Sequence, residues 1–270
     1  MGLRSSIGGS PINSQPLAGP ARMTNLRAAR RGVALGLLLF FCFARWLLMR
    51  LRGPDTLERR ARWLHESGVL VMRRMGIPLK VTGMPPARGL LVANHLTYLD
   101  ILIFGTALPC YLVSKTEISR WPFFGILARA GGTLFVDRSS RASAESVTDQ
   151  IAERLKGNVP VLFFPEGTST DGSQLLRFHS RFYTPAVVAG VPVTAAAVRY
   201  VFEDGTPERE LCWPGDEAFL SHLWKDLRAP NFAAEIYFGE PRIYTDRRTA
   251  ADATYAEIEV MREQSALVAQ

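Results

Sequence analysis

Beyond residue 80 the chain alternates short, unbroken apolar runs with longer amphipathic stretches. Apolar runs of roughly four to eight residues suit strands buried on both faces, and apolar positions three and four apart suit helices. The pattern predicts strands at 89–94, 110–114, 132–137, 159–164, 191–199 and 233–239. It predicts helices at 97–107, 122–130, 140–156, 181–189, 216–227 and 249–267. Residues 201–231 mix Pro, Gly and acidic groups with weak periodicity and resist firm placement. Such alternation implies an α/β fold, a mostly parallel sheet covered by helices. No internal repeat is visible.

A different pattern precedes this body. From Gly32 to Ala44 the chain is uncharged, and after Arg45 it resumes as Trp46-Leu47-Leu48-Met49. The run is shorter than the ~20 apolar residues of a spanning helix, but an arginine near its end can snorkel to the headgroups. Arg27, Arg30 and Arg31 precede it and Arg50 and Arg52 follow it, so the positive-inside rule gives no orientation. A helix dipping into one leaflet from the cytoplasmic side satisfies both flanks. The long preceding region and the lack of a small-x-small site argue against a cleaved signal peptide. Residues 56–77 are amphipathic and basic, with Arg59, Arg60, Arg62, Arg73 and Arg74 among Trp63, Leu64, Val69, Leu70 and Val71. That pattern fits a helix in the bilayer interface, and equally one packed on the domain with a solvated basic face.

Charge sharpens the division. Residues 1–62 hold eleven arginines against Asp55 and Glu58, a net +9, whereas the whole chain carries +7 and the remainder therefore −2. Basicity confined to the anchor region argues against a nucleic-acid groove on the globular body. Cys42, Cys110 and Cys212 show neither paired spacing nor His neighbours at ligand intervals, so neither zinc nor a disulfide framework is expected. The expected division is a disordered basic tail (1–31), a hydrophobic membrane anchor (32–52), an amphipathic basic helix (53–79), a globular α/β domain (80–245) and a C-terminal helix (246–270).

Candidate chemistry begins where the run Gly89-Leu90-Leu91-Val92-Ala93 meets Asn94-His95-Leu96-Thr97-Tyr98-Leu99-Asp100. The end of a buried strand is the usual place for ligands in an α/β sheet. Residues five apart lie about 140° apart around a regular helix, so His95 and Asp100 meet only if the His precedes the helix and the Asp lies in its first turn. The carboxylate then fixes one imidazole tautomer and leaves the other nitrogen to take a proton. A second reading is structural: Thr97-x-x-Asp100 also matches a capping box.

Three further segments follow in order: Gly132-Thr133-Leu134-Phe135-Val136-Asp137-Arg138, Val161 to Ser169 through Glu166-Gly167-Thr168, and Val191-Pro192-Val193. With Asn94 to Asp100, these resemble the four ordered blocks of the glycerolipid (lysophosphatidate) acyltransferases, over roughly residues 80 to 200. The resemblance implies transfer of an acyl chain from acyl-CoA or acyl-carrier protein to the free hydroxyl of a lysophospholipid acceptor, with no cofactor, metal or covalent enzyme intermediate. It implies His95 as base and Asp100 as its orienting partner, Arg138 and Lys115 near an acceptor phosphate, and Glu166, Gly167 and Thr168 shaping the acceptor pocket. Without the resemblance, Arg138 reads as an exposed partner of Asp137 or Glu145, and Glu166 as an acceptor of backbone N–H groups in its own turn.

Two positions depart from the pattern. Phosphatidate-forming members commonly carry Arg where this chain has Ser169, and Lys where it has His179; Arg177 and Arg181 stand nearby. Relatives acting on other lysolipids, lyso-ornithine lipid included, share the Glu-Gly-Thr-Ser form. The leading expectation is 1-acyl-glycerol-3-phosphate giving phosphatidate at the cytoplasmic face of a membrane. Acylation of another lysolipid, or a catalytically silent lipid-binding protein, are the alternatives. A serine hydrolase would need Ser169 paired with His179 or His222; Gly167-Thr168-Ser169-Thr170-Asp171 lacks the last glycine of a nucleophile elbow.

Overall fold

The computed structural model describes residues 25–121, 123–137, 139–214 and 217–268. Two helices, α1 (Asn25–Leu51) and α2 (Leu57–Met75), lead into β1 (Leu79–Thr82), β2 (Leu90–Ala93), α3 (Leu99–Ala107), β3 (Tyr111–Lys115), α4 (Phe124–Ala130) and β4 (Leu134–Val136). Then come α5 (Arg141–Leu155), β5 (Val161–Phe163), α6 (Thr184–Ala189), β6 (Val193–Phe202), α7 (Phe219–Arg228), β7 (Phe232–Phe238) and α8 (Arg247–Val268). The strands form one sheet in the order β1-β7-β6-β2-β5-β3-β4, and only the β6–β7 pairing is antiparallel.

The expected α/β fold is thus the observed one. β2 lies between β5 and β6 in parallel register, Leu90 opposite both Val161 and Val193, and all four of its residues are buried. Unbroken apolar sequence is what a central parallel strand needs, because helices cover both of its faces. One face packs Val147, Ile151 and Leu155 of α5 and Ile258 of α8 over the sheet. The other packs Ile103 and Phe104 of α3 with Met72 of α2. The carboxyl ends of β2, β3, β4 and β5 share one edge, where the chain leaves each strand into a loop. Strand order reverses at β2, the position at which open α/β sheets leave a crevice.

The amino-terminal helices differ from expectation in extent. The tail was placed at 1–31 and the anchor at 32–52, but α1 is helical from Asn25, and residues 1–24 lie outside the described residues. Nothing between Asn25 and Arg31 breaks a helix, and Arg31 is anchored by bonds to Ala229 O (3.1 Å) and Asn231 Oδ1 (2.9 Å). α2 is capped by the Thr56 hydroxyl at its start and by Gly76 at φ 68° at its end. β1, absent from the sequence expectation, is a four-residue edge strand paired only with β7, three of its residues exposed.

Candidate active site

Asn94 ends β2 by turning its side chain into a substitute for the strand: its amide donates to Val198 O (3.1 Å) and its carbonyl accepts from Val198 N (2.8 Å). The backbone is freed to turn, and the segment from His95 to Thr97 lies over the sheet edge. Three neighbours fix it there. Thr170 N donates to His95 O (2.9 Å), Trp213 N donates to Leu96 O (2.8 Å), and His95 N donates to Glu166 Oε1 (2.8 Å).

Asp100 sits in the first turn of α3 and is completely buried. Its Oδ2 receives His95 Nδ1 at 2.7 Å, Leu96 N at 2.7 Å and Thr97 N at 3.0 Å. The two readings of this spacing are therefore not exclusive, since one carboxylate oxygen both caps the helix start and holds the imidazole. Half of the capping box is missing: Thr97 Oγ1 has no partner among the described residues. The imidazole stacks on Phe164, with centroids 4.1 Å apart and planes 12° from parallel. With Nδ1 committed to Asp100, Nε2 is the nitrogen left for the cavity that His95 lines.

That cavity has a volume of about 550 Å³. Lys115, Gly167 and Ser169 line it beside His95, with Tyr98, Trp121 and Trp213 as an aromatic wall. Ile101, Val113, Val136 and Phe163 give it an apolar side, His179 adds an imidazole and Arg181 a guanidinium. Gly167 adopts φ 81°, which a side chain rarely tolerates, and so lets the loop after β5 double back beneath the histidine.

Of the expected binding residues, Lys115 and Gly167 lie on the cavity wall. Glu166 and Thr168 do not line the cavity. Glu166 is 3% exposed, and its second oxygen accepts from Leu176 N at 2.9 Å, so both oxygens serve backbone N–H groups. One of those groups is the histidine's own backbone N–H, so Glu166 fixes the start of the His95 segment. Burial, acting against those two bonds, holds its carboxyl above the ordinary carboxylate value. Arg138 lies outside the described residues. The serine-hydrolase arrangement is absent among the described residues: Ser169 Oγ donates to Trp213 O, while buried His222 bonds Cys212 O (3.0 Å) and faces Asp226 (3.2 Å).

Two groups at the site carried no sequence signal. Tyr200 Oη, exactly one hundred positions along from its partner, donates to Asp100 Oδ1 at 2.6 Å. Tyr98 donates to buried Asp226 on α7, which ties the start of α3 to that helix. Only the fold brings these groups together.

A strand-end histidine is thus held by a buried carboxylate at the wall of a largely apolar cavity. Comparison with known proteins supplies the family. The Acyltransferase family profile matches residues 79–199. The chain is 36% identical over 212 residues to a lyso-ornithine lipid O-acyltransferase of Pseudomonas aeruginosa, covering 77% of this chain and 80% of that one. It is 34% identical over 252 residues to the protein of the same name from Rhodobacter capsulatus, 89% of each chain. A 1-acyl-sn-glycerol-3-phosphate acyltransferase of Neisseria meningitidis is 36% identical over 194 residues, 70% of this chain and 75% of that one. The fold matches the crystal structure of the LPA acyltransferase PlsC from Thermotoga maritima with a TM-score of 0.63 at 18% identity, over 90% of this chain and 98% of that one. The chain belongs to the acyltransferase family, and it is an acyltransferase.

Proposed function

We propose that the enzyme moves a fatty acyl group from a soluble thioester, acyl-CoA or acyl-carrier protein, to the free hydroxyl of a lysolipid, with His95 as general base. The observation that carries this is the 2.7 Å contact between His95 Nδ1 and a fully buried Asp100 carboxylate. The acceptor oxygen attacks the thioester carbonyl as its proton passes to Nε2. The tetrahedral intermediate then collapses, expelling the thiolate, which takes the proton back and leaves as the thiol. Asp100 stabilises the imidazolium formed between these steps. The apolar side of the cavity suits an acyl chain, and Lys115 faces the acceptor's head. Arg138, which lies outside the described residues, is assigned to the same head by the family resemblance alone. An intact His–Asp pair speaks against a silent lipid-binding protein.

Two acceptors have support. Lyso-ornithine lipid, whose amino-acid head carries no phosphate, is favoured by Ser169, which bonds a backbone carbonyl where a phosphate site would present a cation. The Pseudomonas and Rhodobacter relatives support the same choice. 1-Acyl-glycerol-3-phosphate, the leading expectation from the sequence, is favoured by Lys115, His179 and Arg181 on the cavity and by the Neisseria relative. We place lyso-ornithine lipid first. The apolar α1 attaches the enzyme to the membrane, with the site on the cytoplasmic face where soluble thioesters are found.

The test is acylation by the purified protein of both lysolipids with labelled acyl-CoA. His95→Ala is expected to lose at least ~10²–10⁴-fold in turnover while its thermal melt stays near wild type. Asp100→Asn is expected to lose most activity as well. Near-normal turnover in a folded His95→Ala protein would falsify the base assignment.

A further inference from the structure

Asp100 is held by donors from two directions, and they are unequal. Its Oδ2 takes the imidazole and two backbone N–H groups, while Oδ1 takes the hydroxyl of Tyr200 at 2.6 Å. Both residues are essentially sealed from solvent, at 0% and 1% exposure. The two oxygens turn together about the Cβ–Cγ bond, so a donor on Oδ1 also restrains the direction from which Oδ2 meets His95. We infer that Tyr200 is a positioning residue for the transfer reaction, holding the Asp100 carboxylate in the plane that orients His95; this rests on His95 acting as the base.

Tyr200 is itself secured at both ends. Its backbone N–H donates to Glu208 Oε1 at 2.7 Å, and Glu208 pairs with Arg262 of α8 at 2.8 Å. Its ring meets Phe232 of β7 edge-on at 5.8 Å. Burial first, and then the Asp100 charge, push the phenol well above its ordinary range, so it stays protonated and serves as a donor. A buried carboxylate oxygen without this donor gains nothing from water in exchange. Its charge then concentrates on Oδ2, which both loosens the geometry and strengthens the pull on a proton at the imidazole. Other charged or titratable groups near the pair are Glu166 on the loop after β5, Glu208 and Cys212 after β6, and Arg262. On the cavity side stand Lys115, Glu117, His179 and Arg181. All are unchanged by a substitution at residue 200, so a difference between variant and wild type isolates the hydroxyl.

The experiment compares wild type, Tyr200→Phe and His95→Ala in acyl transfer across pH, with thermal melting alongside. Phe keeps the ring and its packing. Tyr200→Phe is expected to lower kcat about ten-fold, to leave both Michaelis constants within about two-fold, and to move the midpoint of the acid limb of the rate profile upward. Melts taken at each pH of the profile show whether the variant stays folded through the acid limb, so acid unfolding is not mistaken for the result. 3-Fluorotyrosine in place of Tyr200 retains the hydroxyl as a stronger donor, and is expected to move the midpoint downward at near-normal kcat. Should Tyr200→Phe fold poorly, this second variant decides alone. Inactive His95→Ala with unaltered kcat and midpoint in both residue-200 variants overturns the role of Tyr200 and leaves the base assignment standing. Active His95→Ala overturns both.

Discussion

Glu166 shows how one buried side chain can hold the candidate base in place without lining the cavity. It accepts from His95 N and Leu176 N, yet burial still holds its carboxyl above the 4.5 of an unperturbed glutamate. A carboxyl whose folded pKa is raised contributes stability below its unfolded value and loses that contribution as pH rises through the folded value. At neutral pH the charge is therefore a cost, retained for the strength of the bond it gives the His95 backbone. Glu166→Gln removes the charge but leaves one of two buried N–H groups facing an amide nitrogen, worth ~1–3 kcal/mol. The variant is expected to be less stable than wild type at pH 4.5, with the gap narrowing toward pH 8, and to turn over more slowly at every pH. Denaturant melts at the two pH values check this, and a gap that widens with pH contradicts it. From sequence, Glu166 was legible as important but not in its role, since a turn glutamate beside Gly167 looks the same whether it faces a ligand or an amide. His95 and Asp100 were legible because five-residue spacing restricts them to one geometry. Tyr200 was not, because nothing local distinguishes it from any other aromatic of a strand.

Among the elements, α1 departs most from what its composition suggested. It is apolar enough to cross a membrane, yet its contacts run along the domain. Near its start Arg31 bonds the turn after α7, and a Cβ at Gly32 would come within 3.4 Å of Leu227. In the middle Trp63 Nε1 of α2 donates to Cys42 O (3.1 Å), and near its end Arg59 Nη2 reaches Met49 O (2.9 Å). Arg45, the interruption in the apolar run, pairs with Glu66 of α2 at 2.5 Å, where snorkelling had been expected. Leu37, Phe40, Phe41 and Leu48 remain exposed on the opposite side. A helix fastened at both ends to one body suits a position lying in one leaflet rather than standing across two. Leu26→Cys and Leu51→Cys, at exposed positions near the two ends, are accordingly expected to react with an impermeant maleimide from the same side of sealed vesicles. Labelling from opposite sides contradicts it. Sequence reading found the run and the basic helix because both rest on periodicity. It missed β1, where Lys80, Val81 and Thr82 are exposed and no burial pattern marks the strand. It could not place 201–231 firmly because that segment's order comes from long-range bonds, such as Trp213 N to Leu96 O.

The whole molecule brings the ends of β2, β3 and β5 and the loop after β6 around one cavity, and the charges those loops deliver are the groups an acceptor's head would meet. Lys115 arrives from β3, His179 and Arg181 from the segment before α6, and Glu117 opposes them. Arg181 is partly engaged already, 3.6 Å from Glu145. Ser169 stands on the wall where the family resemblance puts Arg in phosphatidate-forming members, and its hydroxyl is spent on Trp213 O. If that absence governs the choice, the wild-type enzyme acylates lyso-ornithine lipid faster than 1-acyl-glycerol-3-phosphate under matched conditions. Ser169→Arg then adds a guanidinium that binds phosphate in a fork, and a charge-assisted hydrogen bond of ~1.5–3 kcal/mol corresponds to about ten- to a hundred-fold. The variant's kcat/KM for the phosphate acceptor is expected to rise by about ten-fold, the lower end, because the new side chain displaces the bond to Trp213. Its kcat/KM for lyso-ornithine lipid is expected to fall, and the Michaelis constant for acyl-CoA to stay the same, since the substitution is directed at the acceptor's head group. Steady-state kinetics with both acceptors measure all three quantities. A wild-type enzyme that prefers the phosphate acceptor, with Ser169→Arg leaving that preference unchanged, would place phosphate recognition on Lys115 and its neighbours instead and reverse the order of the two acceptors.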